Sequence, residues 1–162
     1  MTTATLKVDG LDVIRRALLE LPDRLATNSL ASAVNAGAAV IRDEARALAP
    51  EYTGPVSKGH PPPGTLRRSI IVKSIRELST YYRKVSYVTV RHGKKYQDVG
   101  KRHANLDAYY WRFIEFWTTH AAARPFLRPA FESLKYQAVQ TIKDGIAQGV
   151  EEEATKLGQG AR

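Results

Sequence analysis

Apolar residues recur at three- and four-residue steps near the start of the chain: Leu11, Ile14, Leu18 and Leu21, with Arg15, Arg16 and Glu20 between them. This spacing predicts an amphipathic helix of about three turns. Pro22 interrupts it and suits the first position of a second helix. Leu25, Leu30, Ala33, Val34, Gly37, Val40, Ile41 and Leu48 carry an apolar face onward until Ala49-Pro50 stops it. The middle of this long element is small (Ala31, Ala33, Ala36, Gly37, Ala38, Ala39). That fits close packing across another element, and equally a run chosen for helix propensity.

From Glu51 to Gly64 the chain turns to loop chemistry, with Thr53-Gly54-Pro55 and then Lys58-Gly59-His60-Pro61-Pro62-Pro63-Gly64. Three consecutive prolines favour a stiff, extended conformation, so 51–64 is expected either to project as an arm toward a partner or to be a plain surface loop. The period then changes to two. Ile70–Arg76 and Val85–Arg91 are rich in β-branched and aromatic residues, and Glu77–Tyr82 lets the second run turn back on the first, which predicts an antiparallel pair. In the aromatic run Tyr109, Tyr110, Trp111, Phe113, Ile114, Phe116 and Trp117, periodicity leaves a third strand and a short helix both open. Leu127, Ala130, Phe131, Leu134, Ala138, Ile142 and Ile146 mark one face of a last helix, expected to weaken after Gly145 or Gly149. Residues 1–150 are read as one domain and 151–162 as a polar C-terminal tail.

A length of 162 residues agrees with a single domain, and 43% hydrophobic with 25% charged residues is the balance of an ordinary folded chain. Cysteine is absent, which excludes disulfides, thiolate metal sites and a thiol nucleophile. No apolar run approaches the roughly 18 residues of a membrane span, and the N-terminus lacks the basic-then-apolar order of a signal peptide, so no membrane contact is expected and synthesis in the cytosol is. The net charge of +9 is concentrated: residues 66–103 hold eleven Lys or Arg against Glu77 and Asp98, which accounts for the entire excess. A polyanion or an acidic protein surface is therefore a candidate neighbour, with Arg91, Lys94, Lys95, Lys101 and Arg102 as candidate contacts. Tyr81, Tyr82, Tyr87 and Tyr96, interleaved with these cations, keep a basic nucleic-acid-binding protein as the alternative reading.

Catalytic patterns are missing. The four histidines form no i, i+4 pair, Asp43 and Glu44 are adjacent on a helix and so diverge, and Ser57 and Ser69 lack a nucleophile elbow. No enzyme, cofactor or metal is expected. Glu115 is different: flanked by Ile114 and Phe116, its carboxylate needs a partner, and a turn over 118–123 is expected to bring Arg124 or Arg128 back to it as a bidentate pair.

The order Ala49-Pro50, Thr53-Gly54, Leu66-Arg67-Arg68-Ser69-Ile70, then Trp111–Thr118 and Ala123-Arg124-Pro125-Phe126-Leu127-Arg128-Pro129-Ala130 resembles the gene-product-ten-like family of tailed bacteriophages, over about residues 10–147. The chain departs at Trp117, where the family pattern has glycine. The resemblance implies an α+β domain in which a long N-terminal helix and a C-terminal helix pack on a small antiparallel sheet. It implies a structural virion protein, a tail-completion or head-tail joining (neck) component assembled with copies of itself into a ring that matches tail symmetry. The implied neighbours are a head-closure or connector protein, a tail tube or tail terminator protein, and the passing DNA; the implied location is the virion, after assembly in the host cytoplasm. Glu115, Trp117, Arg124, Phe126 and Arg128 are the expected fold-organising residues near a subunit interface.

Overall fold

A computed structural model describes residues 23–52, 61–93, 96, 107–119 and 122–160. The helix expected over Leu11–Leu21 and most of the proline loop, 53–60, lie outside the described residues.

Helix α1 (Asp23–Leu48) begins directly after Pro22 and stops before Pro50, whose ring disfavours helical geometry in the residue preceding it. It is followed by a single-turn helix α2 (Thr65–Ser69), strand β1 (Ile70–Ser74), a 3₁₀ turn at Arg76–Leu78 and strand β2 (Ser86–Val90). Short helix α3 (Trp111–Glu115) and long helix α4 (Leu127–Gly160) complete the order. The aromatic run thus resolves as a helix.

The strands form an antiparallel hairpin in the register Ile70↔Val90, Ile71↔Thr89, Val72↔Val88, Lys73↔Tyr87, Ser74↔Ser86. Alternation places Ile70, Val72, Ser74, Ser86, Val88 and Val90 on the face toward α1. Two fasteners fix the hairpin along that helix. Near the start of β1 both Arg46 Nε and Nη2 donate to the Ile70 carbonyl (3.1 and 2.8 Å), and at the far end Asn35 Oδ1 accepts from Ser74 Oγ (2.9 Å) and Ser86 Oγ (2.7 Å).

Helix α4 runs antiparallel to α1 at very close range. A Cβ built on Gly37 would sit 2.4 Å from Ile142 Cγ1 and 2.8 Å from the Ala138 carbonyl oxygen, and Gly145 and Gly149 lie against Ala33 and Ser29. The small run of α1 is therefore a packing surface. The glycines expected to weaken α4 are its contact points, and the helix passes both and continues to Gly160, so 151–160 are helical where a polar tail was expected. The core lies where α1, the hairpin and the start of α4 meet: Ala45, Ala49, Leu66, Ile70, Val90, Ala108, Phe126 and Ala130 are buried together. The helices and two-stranded sheet make the fold α+β.

Candidate assembly surface

The start of α4 is organised by one carboxylate. A helix leaves its first four N–H groups without intrahelical acceptors. Here those groups belong to Phe126, Leu127, Arg128 and Pro129. Glu115 Oε2 accepts from the Phe126 and Leu127 amides (2.9 and 3.0 Å), Glu115 Oε1 accepts from the Arg128 amide (3.0 Å), and Pro129 has no N–H to satisfy. The next amide, Ala130, already bonds back to the Phe126 carbonyl. A negative group at the positive end of a 34-residue helix gains from the helix dipole as well.

This corrects the expected ion pair. Glu115 is buried, at 8% exposure, but its partners are backbone amides, and the guanidinium groups of Arg124 and Arg128 are exposed to solvent. A buried carboxylate requires hydrogen bonds, and an unfilled helix N-terminus supplies three at once with no long side chain to immobilise. Arg124 contributes through its backbone, its amide donating to the Ile114 carbonyl at 2.8 Å, which ties the incoming strand of chain to α3. Phe126 is fully buried.

Anchoring α3 in this way leaves its other face outward. Tyr109 (55% exposed), Phe113 (59%), Phe116 (52%) and Trp117 (71%) form an aromatic shelf within nine residues of chain. Beside it runs a cleft of about 520 Å³ lined by Pro50, Tyr52, Leu66, Tyr110, Phe113 and Ile114. Burial pushes the Tyr110 hydroxyl above the usual tyrosine range, partly offset by a hydrogen bond with the Leu66 backbone. Exposed aromatics in one patch, with Arg112, Arg124 and Arg128 at its border, have the composition of protein-protein contact sites. Trp117, standing where the family pattern has glycine, presents its indole to solvent.

The basic stretch is only partly placed. Lys94, Lys95, Lys101 and Arg102 lie outside the described residues. Arg91 is half-buried at the end of β2, where its amide donates to the Ser69 carbonyl and its carbonyl accepts from Ala108. The cations displayed by the structure are instead on the hairpin and its turn: Lys73, Arg76 and Arg83 are exposed and Lys84 is half-buried, with Tyr81 and Tyr82 in edge-to-face contact at 4.5 Å. None of these four cations forms an ion pair among the described residues. Their placement was not read from the sequence, nor was the role of Asn35, although a lone amide amid alanines and glycine was a signal available there. Among the described residues no cluster of His, Asp and Glu could hold a metal, and no helix is long and apolar enough to cross a membrane.

The chain belongs to a bacteriophage family: residues 12–116, more than half of its length, match the model described as "Bacteriophage HK97-gp10, putative tail-component". The match takes in α1, the hairpin and Glu115 and ends at Phe116, short of the Arg124–Ala130 stretch that the carboxylate caps. Searches among curated proteins and among solved structures find no match to the chain.

Proposed function

We propose that this tail-component family member completes the phage tail or joins it to the head, as one subunit of a ring around the DNA channel. The observation that carries the reading is the aromatic shelf of Tyr109, Phe113, Phe116 and Trp117, held rigid by the Glu115 cap and left uncovered among the described residues. A folded chain gains nothing from exposing four large aromatics unless a partner covers them. The partners in this reading are further copies of the chain, a head-closure or connector protein, and a tail tube or tail terminator protein. DNA passes nearby without sequence-specific contact, and the role involves no catalysed reaction. The protein is built in the host cytoplasm and ends in the virion at the neck or tail.

The test is electron microscopy of lysates from the source phage with this gene deleted, complemented by the wild-type gene or by the Phe113→Ser/Trp117→Ser variant. Full heads separate from tails, or tails of abnormal length, rescued by the wild type and not by the double variant, support the reading. Infectious particles from the deletion overturn it. In that case the exposed Tyr82 and the hairpin cations favour the nucleic-acid-binding alternative, which requires saturable DNA binding with a steep salt dependence.

A further inference from the structure

The described core is layered, and its two outer layers carry opposite charge. Asn35 of α1 holds the hairpin serines, whereas Ala33 and Gly37, two residues to either side, lie against α4. Two residues are about 200° around a helix, so the hairpin and α4 occupy opposite sides of α1. They also share a level along it. The turn end of the hairpin, at Ser74 and Ser86, reaches Asn35, and the far half of α4 passes Ala33 and Ser29 at Gly145 and Gly149.

The outward face of the hairpin presents Ile71, Lys73, Tyr87 and Thr89, continued by Arg76 and Arg83 at the turn. Tyr87 is 49% exposed. The outward stripe of α4 presents Tyr136, 73% exposed, and then Asp144, Glu151 and Glu152, all exposed. Asp144 and Glu152 are met by the amides of Gln140 and Gln148. Each face pairs an aromatic with a run of one charge, and the signs are opposite.

We propose that these faces are the two halves of a single heterologous contact between copies of this chain: the basic outer face of one hairpin seats on the acidic outer stripe of the next copy's α4. The inference rests on the ring reading given above and names the surfaces that would build it. A contact between unlike surfaces of identical subunits propagates side by side and closes when the rotation permits. Because the basic hairpin end and the acidic half of α4 lie at one level along α1, rotation about an axis near-parallel to α1 brings them together without a shift along it. Charge complementarity then sets the register and excludes the face-to-face alternatives, which oppose like charges.

The experiment measures oligomeric state by light scattering on a sizing column, for the full chain and two charge-reversed variants. One carries Lys73→Glu, Arg76→Glu and Arg83→Glu; the other carries Asp144→Lys, Glu151→Lys and Glu152→Lys. All six positions are exposed, and unchanged circular dichroism and melting confirm folding of each variant. The expected result is an oligomer for the wild type, weakened at least roughly tenfold by raising the salt severalfold, and monomers for each variant alone. Mixing the two variants restores an oligomer of alternating subunits, because each supplies the charge the other has lost. Variants that assemble like the wild type overturn this contact and leave the ring reading standing. A wild type that stays monomeric at low salt and high concentration overturns both. If reversal of the hairpin abolishes binding to duplex DNA of mixed sequence and leaves the oligomer intact, the basic face belongs to DNA and the contact is refuted.

Discussion

Removing the Glu115 carboxylate is the sharpest test of how the fold is held together. In Glu115→Ala three amides lose their acceptor. The Phe126 amide is buried, so leaving it unpaired costs about 1–3 kcal/mol. The Leu127 and Arg128 amides are only partly buried and regain water, losing about 0.5–1 kcal/mol each, and the charge–dipole attraction adds about 0.5 kcal/mol. The total is about 3 kcal/mol. Glu115→Gln keeps an oxygen for the two amides now served by Oε2 but turns an NH₂ toward the Arg128 amide, so its cost is about 1–2 kcal/mol. Arg124→Ala and Arg128→Ala remove exposed guanidiniums that do not touch the carboxylate and change stability by less than about 0.5 kcal/mol. Urea unfolding followed by circular dichroism at 222 nm orders these variants. If Arg128→Ala costs as much as Glu115→Ala, or Glu115→Gln is neutral, the carboxylate is serving a guanidinium and the capping account is wrong.

Three further outcomes are expected. Gly37→Ala destabilises the protein by about 1–3 kcal/mol in thermal melts, although alanine is the better helix former by about 1 kcal/mol, because its methyl meets Ile142 and the Ala138 backbone; a stabilised variant would show that the helices separate cheaply. The Arg42 guanidinium beside Asp43 holds that carboxyl below its usual range, so the pair adds stability above about pH 4, lost as pH falls through the lowered value. Both groups are largely exposed, so Asp43→Asn costs well under 1 kcal/mol at pH 7 and nothing at pH 2, a convergence read from melts across pH. Phe113→Ser with Trp117→Ser leaves the melting temperature within a few degrees of wild type, since both rings are exposed; a collapse would mean the shelf belongs to the protomer's own core.

Much of this arrangement is legible in order along the chain. Pro22 and Pro50 bracket α1, the switch from a period of 3.6 to a period of two marks the hairpin to within two residues, and the apolar face of α4 follows from Leu127 onward. The glycines were misread for a physical reason. Sequence alone assigns Gly145 and Gly149 the conformational cost of a flexible residue, and only a neighbouring helix at contact distance turns the missing side chain into an advantage.

The same distinction governs the candidate surface. That Glu115 could not stand alone among aromatics was decided by the sequence, because an ionised group leaving water must be compensated. Which group compensates it was decided by the tertiary fold: only the approach of α4, eleven residues later, shows that three amides arrive before any guanidinium does. Likewise the sequence determined how much positive charge the chain carries and in which stretch. The structure decided that Lys73, Arg76 and Arg83 share one side of α1 while Asp144, Glu151 and Glu152 lie on the other. Composition is additive along a chain, but the side of a helix on which a charge stands depends on what packs against the opposite side.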